Sequence, residues 1–559
     1  MKRFLALVLA LSMMLACVSA LADDNSKPDW TAYDELIAKI KASTDFVERE
    51  ALMHEAEDML MSTYGVIPIY YYNDLYMQKA SVDGIYASLF GTKYFMYATN
   101  GDATTLRVCL SSEPDHLDPA LNSSVDGACL AANTFGGLYT YDSTGNLAPM
   151  LADSYTVSDD GLTYTFTLKS DLKWSDGSDL TAADFEYAWK RAAATETAAD
   201  YSYMFNGIEG YPDNLNVTAT DATTLTVVLT APCAYMLDLM AFPTFFAVKQ
   251  EAVEAAEGYK DESGAVVNPG AWATEAGFVS SGAFVLTEWK HNESMVYEKN
   301  PYYYDAENVK IEKIEFMLSA DDTAIYAAYQ AGDLDFIDTV PNDQIATLLN
   351  DPEFHLIDNL GTYYCAFNVA SSIFDGKTAE QASAMREAIS CLIDRQYIVE
   401  TVAQCGQQVA TSYIPAGMAD GNGGVFKTND DAYTYPNEET AGYYAAEPDV
   451  EKAVELLKSA GYEFDDNNML SASTPLTLEY VTNESSGHVA IAECIQQDLA
   501  QVGITMTIRT CDWNVFLNDR KQGNYDFARE GWLADFNDPI NMLEMFTTDS
   551  GNNDPQFGR

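Results

Sequence analysis

Residues 151–191 read LADSYTVSDDGLTYTFTLKSDLKWSDGSDLTAADFEYAWKR. Apolar residues alternate with threonines in the middle of this stretch, at Leu162, Tyr164, Phe166 and Leu168. This period of two is typical of a half-buried strand, and Asp160-Gly161 just before it is a tight-turn signal. Thr181 lies three residues before Asp184, which is a favourable start for a helix. The stretch therefore predicts a β-hairpin followed by a helix.

The residue types in this stretch are more specific than its periodicity. The runs TFTLK at 165–169, KWSDG at 173–177 and LTAAD at 180–184 resemble the signature of the extracytoplasmic solute-binding proteins, family 5, of peptide ABC importers. SSGAF at 280–284 and AYQAGDLD at 328–335 resemble further blocks of that family. The resemblance implies an α/β, periplasmic-binding-protein-like bilobal fold with an extra third subdomain (cluster C type). Alternating strand and helix patterns along the chain agree with α/β lobes.

The order of these blocks is rotated. Residues 31–98 look like the family's carboxyl-terminal segment, whereas the chain from Thr105 onward resembles its mature amino terminus. We expect a circular permutation with 99–104 as the linker; a rearranged reading frame is the alternative. The expected division is a signal peptide at 1–22, the family's C-terminal part of the second lobe at 23–78, the first lobe at 79–135, the extra subdomain at 136–248, the first lobe continued at 249–361 and the second lobe at 362–559.

The amino terminus predicts export. A charged start at Lys2 and Arg3, an apolar run over 4–18 and an Ala-x-Ala cleavage site at 20–22 are typical of a cleaved signal peptide. Cys17 lies in a weak version of a lipoprotein box, so lipid anchoring is an alternative, and a membrane anchor is a third. We expect a secreted or extracytoplasmic protein.

Charge and cysteine spacing exclude several classes. A formal net charge of −55 argues against binding nucleic acid or anionic membranes. No cysteine pair has CxxC spacing, which disfavours a zinc ribbon or a disulfide scaffold. Five scattered histidines show no metal-ligand spacing. We therefore expect no cofactor and no metal.

The run REGWLADFNDP at 529–539 carries the predicted anchor. A Gly-Trp-x-x-Asp motif in peptide-binding members holds the aspartate that pairs with the peptide α-ammonium, and by that resemblance Asp535 is the anchor. A cation in a closed cleft needs a charge-assisted partner. Taken alone, such an aspartate is more often a turn or cap residue. The resemblance also places four residues along a backbone ladder that holds the extended peptide: Val125, Gly531, Trp532 and Leu533.

Further contacts are implied by the same resemblance. Trp513 and Tyr72 match positions that line side-chain pockets, and Arg520 and Arg529 match positions that receive the peptide carboxylate. A salt bridge within the protein is the alternative for either arginine. His488, in the predicted loop at 483–488, is out of phase with the family's terminus-binding position.

Three classes of function compete. The first is a monomeric receptor that closes two lobes around short peptides and delivers them to the permease subunits of an ABC transporter. The second keeps the fold but binds a nickel chelate, haem or an oligosaccharide, or acts as a sensor. The third is a secreted hydrolase, but no GxSxG, HExxH or P-loop is present. We predict the first and expect no enzymatic activity.

Overall fold

A computed structural model describes residues 27–110, 113–429 and 433–559. The predicted signal peptide and Cys17 therefore lie outside the described residues. Among the helices in these ranges, none has both the length and the apolar character needed to cross a bilayer.

The strands are numbered in chain order. They are β1 (Val66–Gln78), β2 (Val82–Asp83), β3 (Tyr86–Ala87), β4 (Lys93–Tyr94), β5 (Thr99–Asn100), β6 (Thr105–Cys109), β7 (Tyr139–Tyr141), β8 (Leu147–Pro149), β9 (Ala152–Val157), β10 (Thr163–Leu168), β11 (Val217–Ala219), β12 (Thr224–Val228), β13 (Phe284–Lys290), β14 (Ser294–Lys299), β15 (Lys313–Met317), β16 (Phe336–Ile337), β17 (Phe354–Phe367), β18 (Gln408–Val409), β19 (Thr477–Asn483), β20 (Thr505–Cys511) and β21 (Phe527–Leu533).

The helices lie mostly between these strands. The α-helices are Thr31–Ala42, Phe46–Ser62, Val125–Thr134, Ala182–Ala193, Met236–Leu239, Gln250–Glu254, Asp322–Ala331, Ile345–Leu348, Ala379–Leu392, Arg395–Tyr397, Val450–Ser459, Ser486–Ala500, Trp513–Lys521 and Ile540–Glu544. Short 3₁₀ turns are Thr195–Thr197, Ser202–Phe205, Pro243–Phe245, Ala271–Ala273, Asn342–Gln344 and Ser372–Phe374, and a π-helical turn spans Ile398–Ala403.

One large mixed sheet organises the fold. Ten of its eleven strands run in the order β13-β14-β15-β6-β16-β1-β17-β21-β19-β20, and the eleventh, β18, pairs with β1. The long strands β1 and β17 form the middle of the sheet and pair antiparallel along most of their length. β16 joins β1 at Met77 and Gln78, whereas β21 joins β17 between Gly361 and Phe367. Two extended strands thus connect two halves of the sheet, an arrangement that permits hinge motion between lobes.

The quoted stretch folds as predicted. β9 and β10 form an antiparallel hairpin, and Gly161 closes the turn with a φ of +74° that favours glycine. The helix Ala182–Ala193 begins with a capping box between Thr181 and Asp184. This unit belongs to a separate four-stranded sheet, in the order β11-β12-β10-β9. The sheet lies inside the range predicted for the extra subdomain, although the domain boundaries themselves stay predictions.

One helix is shorter than its pattern suggested. The run at 386–395 reads as a continuous amphipathic helix, but the helix Ala379–Leu392 ends earlier. Ile393 is extended, and the Asp394 carboxylate accepts a hydrogen bond from the Tyr397 backbone N–H and so caps a new short helix. A capping aspartate inside an apolar pattern therefore interrupts the helix.

The segment at 31–62 packs against the other end of the sequence. The Trp30 indole lies stacked on Phe557 with ring centroids 4.1 Å apart, and its Nε1 donates to the Phe546 carbonyl at 2.7 Å. The Tyr33 hydroxyl donates to the Leu543 carbonyl at 2.8 Å. β1, which follows these helices, completes the centre of the large sheet.

The predicted linker at 99–104 is a tight connection. β5 pairs with β2 at residues Thr99 and Asn100, and the Ala103 N–H donates to the Asn100 carbonyl at 2.8 Å. The Asn100 side chain also donates to the Thr105 carbonyl at 3.1 Å, where β6 begins. The segment is held by the surrounding backbone.

Candidate functional site

A cavity of about 480 Å³ lies between the two halves of the molecule. Its size is within the range of ligand-binding clefts. The cavity brings together all nine residues predicted from the sequence to contact ligand: Tyr72, Val125, Trp513, Arg520, Arg529, Gly531, Trp532, Leu533 and Asp535. Their contacts with a ligand stay predictions, but their common location in one cleft is a structural finding.

β21 presents an open backbone edge to this cavity. On one side it pairs with β17 along its whole length. On the other side β19 pairs only with Phe527 and Ala528. Residues 529–533 therefore have no strand neighbour on that side among the described strands, although three of them carry the predicted ladder. Unpaired N–H and C=O groups in a strand are the template for adding another strand.

Gly531 lies against Tyr72. A Cβ atom at position 531 would be 2.2 Å from the Tyr72 hydroxyl oxygen and 3.1 Å from Cζ. The first distance is much shorter than any non-bonded contact, so glycine is required for this close approach. The phenol of Tyr72 therefore covers one face of the open strand at its centre.

Asp535 lies two residues beyond the end of β21, with its side chain at the cavity wall. Asn541 donates from Nδ2 to Asp535 Oδ2 at 2.9 Å and accepts the Asp535 backbone N–H at Oδ1, also at 2.9 Å. The Tyr201 hydroxyl is 3.5 Å from Oδ1. Burial raises the pKa of the Asp535 carboxyl to about 8; the Glu544 carboxylate adds to the shift, and the hydrogen bonds from Asn541 and Tyr201 oppose it. No ion pair to Asp535 occurs within the described residues, so a cation from outside would stabilise its charged form.

Arg529 is a half-buried cation on the cavity wall. Its guanidinium lies over the rings of Tyr363 and Trp513, at 5.5 and 5.9 Å from their centroids. Nη2 donates to the Tyr72 hydroxyl at 3.4 Å, while Nε has no hydrogen-bond partner in the described structure. No carboxylate lies within ion-pair distance of this guanidinium in that part of the chain. A half-buried arginine without an acidic partner is suited to receive an anionic group.

Arg520 differs from Arg529 although both line the cavity. Its guanidinium forms an ion pair with Glu530 and lies 3.5 Å from the Asp554 carboxylate. Both acids are buried. This arrangement matches the alternative for Arg520, a salt bridge within the protein.

The remaining predicted contacts lie on opposing elements. Trp513 begins the helix Trp513–Lys521, and its indole Nε1 is buried without a partner in the described structure. Val125 begins the helix Val125–Thr134 on the other half of the molecule. Leu533 approaches that half, since a Cβ built at Gly91 would be 2.6 Å from Leu533 Cδ1 and 3.2 Å from Val125 Cγ1. The open edge of β21 thus ends where the two halves meet.

Several cavity residues were given no binding role in the sequence analysis. His488 lies in the first turn of the helix Ser486–Ala500 rather than in a loop, and it lines the cavity. Burial, with a smaller contribution from Arg529, holds the pKa of His488 well below its usual range, so it is neutral. Tyr201 comes from the predicted extra subdomain and no motif marked it. A group of charged residues around Lys93 was also missed, because its members are far apart in sequence.

Two lobes joined by two long strands, with a cavity between them lined by an open strand and by buried charges, define a ligand-capturing binding protein of the hinged type. The family comparison agrees. The chain belongs to the bacterial extracellular solute-binding proteins, family 5, whose middle-region model matches residues 146–554.

Individual relatives support this assignment. The oligopeptide-binding protein OppA of Bacillus subtilis is 32% identical over 470 residues, covering 80% of this chain and 78% of the relative. The dipeptide-binding protein DppE of the same organism is 31% identical, with 81% and 79% covered. Among solved structures, peptide-bound OppA of Listeria monocytogenes has a TM-score of 0.69 and 28% identity, with 82% of this chain and 86% of that chain covered. The expected periplasmic-binding-protein-like fold is confirmed.

Proposed function

We propose that this protein is the substrate-binding protein of an ABC importer and captures short peptides in the cavity between its lobes. The observation that carries the proposal is the open edge at residues 529–533, inside the cavity and ending next to the half-buried carboxylate of Asp535. The Bacillus relatives are named for oligopeptide and dipeptide binding, and the Listeria structure holds a peptide.

Backbone addition explains how such a site binds many sequences. An extended peptide alongside residues 529–533 would exchange main-chain hydrogen bonds with β21, so affinity would not depend on one side chain. Tyr72 and Trp513 would border the spaces for side chains, and Val125 would approach the peptide from the facing lobe. The cavity volume of about 480 Å³ suits a short peptide rather than a folded partner.

Opposite charges would fix the direction of the peptide. Asp535 would accept the α-ammonium at Oδ1, since Asn541 already occupies Oδ2. Arg529 would receive the α-carboxylate of a peptide of suitable length, because its guanidinium lacks an acidic partner in the described structure. Arg520 is assigned a lesser role, since Glu530 and Asp554 already neutralise it.

The remaining biology follows from this role. The family is extracellular, and the sequence at 1–22 supports export, with Cys17 as a candidate lipid anchor. A closed, loaded monomer would dock on the permease subunits in the membrane and release its peptide there. Non-peptide cargo such as a nickel chelate, haem or an oligosaccharide gains no support from the described site, in which no metal-binding group of His, Cys, Asp or Glu occurs.

Calorimetry on ligand-stripped, refolded mature protein tests the proposal. The titrants are a pool of three- to six-residue peptides and the same pool N-acetylated. We expect the free pool to bind and acetylation to abolish most of the heat. Lack of binding by both pools to cooperatively folded protein would reject peptide capture.

We further propose that the chain order is a circular permutation of the family's usual order. The helices at 31–62 pack against residues 543–557, and β1 lies in the centre of the large sheet between β16 and β17. The alignment with the Listeria structure leaves part of each chain uncovered, as expected when a segment occupies different sequence positions in the two proteins. Proximity of the ends is the physical requirement for such a rotation.

A further inference from the structure

A second group of charges lines the cavity away from the arginines. Lys93 Nζ lies 2.6 Å from an Asp74 carboxylate oxygen and 3.5 Å from Asp338 Oδ2. Asp126, in the first turn of the helix Val125–Thr134, is close enough to act on Asp338 electrostatically. All four side chains line the cavity. One ammonium group therefore lies beside two carboxylates, and a third, that of Asp126, acts on one of them.

Asp338 and a further cavity residue, Asn359, have polar atoms without a hydrogen-bond partner in the described structure. Asp338 is 10% exposed, and its Oδ1 has no hydrogen-bond partner in the described structure. Asn359 is 7% exposed, and neither its Oδ1 nor its Nδ2 has a partner there. Both residues line the cavity. Since buried polar atoms are normally hydrogen-bonded, these atoms are available to polar groups of a ligand in the cavity.

Asn359 connects this group to the predicted peptide path. It immediately precedes Leu360, whose carbonyl accepts the Ala534 backbone N–H at 2.7 Å. The same segment therefore borders the exit of β21, where Asp535 is placed. A peptide lying along β21 would pass close to Asn359, and its side chains would be the nearest groups able to reach Asp338.

We propose that Asp338, Asn359 and the neighbouring carboxylates form a subsite for a basic side chain of the bound peptide, such as lysine, ornithine or arginine. This inference rests on the proposed peptide-binding function. An ammonium or guanidinium group would donate to Asp338 Oδ1 and to Asn359 Oδ1, both of which are acceptors. An additional anion is disfavoured by the acidic excess. A metal ion is disfavoured because the Lys93 ammonium already lies between two of the carboxylates.

The pKa of Asp338 is consistent with a subsite for a cationic group. Burial raises the pKa of Asp338 well above its usual range; the Lys93 ammonium opposes this shift, and Asp126 and Asp74 add to it. The thiols of Cys109 and Cys129 also face the group, and burial raises their pKa values as well, so they are neutral. A cation bound beside Asp338 would oppose this shift and stabilise the charged form of the carboxylate.

Position-matched tripeptides test the subsite by calorimetry on the refolded mature protein. Each of the three positions carries lysine or the uncharged norleucine, with alanine elsewhere. We expect lysine at one position to bind at least about tenfold more tightly than norleucine, a difference of about 1.4 kcal/mol. Titrations in buffers of different ionisation enthalpy should show the lysine peptide releasing more protons on binding than its norleucine counterpart.

Variants connect the preference to the named residues. Asp338→Asn should remove the lysine preference while norleucine peptides keep their affinity, and Asn359→Ala should reduce the preference. Asp159→Asn removes the same charge at an exposed position and should leave the preference intact. Equal affinity for lysine and norleucine at every position, with both series bound, would overturn the subsite alone. Failure of both series to bind would reject peptide capture and the subsite together.

Discussion

Asn541 binds Asp535 through both ends of its amide: Nδ2 donates to the carboxylate, and Oδ1 accepts the Asp535 backbone N–H, each at 2.9 Å. Asn541 also accepts the indole N–H of Trp532 at 3.1 Å. One buried asparagine thus holds both the Asp535 carboxylate and the end of β21 in place. The second carboxylate oxygen of Asp535 is left for the cavity, with only the Tyr201 hydroxyl near it at 3.5 Å.

Replacing this anchor should affect peptides according to their amino terminus. Asp535→Ala is expected to weaken binding of free peptides by about 2–5 kcal/mol, since the buried α-ammonium would lose its charged partner. Binding of N-acetylated peptides, weak already, should change little. Isothermal titration of the free and N-acetylated peptides against the original protein and the Asp535→Ala variant gives the coupling free energy between the carboxylate and the α-ammonium. Unchanged affinity for free peptides would show that Asp535 is not the anchor.

Peptide affinity should depend on pH through the same carboxyl. In the empty site the pKa of Asp535 is about 8, so the group is mostly neutral near neutral pH. Pairing with an α-ammonium requires the charged form, so binding releases a proton, and affinity should rise with pH by up to about tenfold per unit below pH 8. It should fall above pH 8, because the peptide amino group, with a pKa of about 7.7–8.0, loses its own charge.

The pH profile is best measured with a peptide that lacks basic side chains, so that Asp338 does not contribute. Asp535→Asn is the matched control and should remove the rise below pH 8. Glu544 is the other acid that acts on Asp535; burial raises the pKa of Glu544, and its ion pair with Lys41 at 2.5 Å opposes that shift. A flat profile between about pH 6 and pH 8 would contradict the assigned protonation.

The two cavity arginines should behave differently. Arg529→Gln is expected to weaken the binding of peptides with a free carboxylate by roughly 10- to 100-fold, because this guanidinium has no acidic partner in the described structure. The affinity for C-amidated peptides should stay nearly unchanged. Arg520→Gln should instead lower the free energy of unfolding by about 3–5 kcal/mol, since it leaves the buried Glu530 and Asp554 without their cation.

Chemical denaturation and calorimetry on both arginine variants separate these effects. The prediction fails if Arg529→Gln lowers the free energy of unfolding as much as Arg520→Gln does. It also fails if Arg529→Gln weakens the binding of C-amidated peptides as much as that of peptides with a free carboxylate.

The close approach of Tyr72 to Gly531 gives a test by rescue. Gly531→Ala places a methyl group 2.2 Å from the Tyr72 hydroxyl oxygen, so the ring must shift across the strand edge. Peptide affinity should fall about tenfold, and adding Tyr72→Phe should restore part of it, a coupling of about 1–2 kcal/mol. Gly207→Ala is the control, since a Cβ there meets nothing within 4 Å. Failure of Tyr72→Phe to restore any affinity would show that the clash is not the cause.

The local elements could be predicted from the sequence because their signals are local. The alternation at 163–168, the glycine turn at 161 and the capping pair of Thr181 and Asp184 each act within a few residues, and all three appear in the structure. The Gly-Trp-x-x-Asp motif likewise predicted that Asp535 lies in the ligand site, and Asp535 lines the cavity. This prediction was possible because the motif is short and spans the end of β21.

The rest of the site depends on contacts between distant segments. Lys93, Asp74 and Asp338 come from three parts of the chain, and only the pairing of β1 with β16 and β17 brings the last two close. No spacing in the sequence reports such a cluster. The different roles of Arg520 and Arg529 could not be predicted from the sequence either, because they depend on which acidic side chains lie next to each guanidinium in the folded chain.

The permuted order can be tested by reversing it. A chain that begins at Thr105, continues from Arg559 into Pro28 and ends at Ala98 keeps every contact of Trp30 with Phe546 and Phe557. It should fold and bind peptides with an affinity within about threefold of the original, because the new joint only connects segments that already pack together. A control chain opened at Thr362 should not fold, since this residue lies in the middle of β17 and pairs with both Tyr71 and Trp532. Circular dichroism and calorimetry provide the readouts. If the rotated chain fails to fold, the contacts at 543–557 are insufficient to join the two ends, and the rotation would have to be explained by a different pairing of segments.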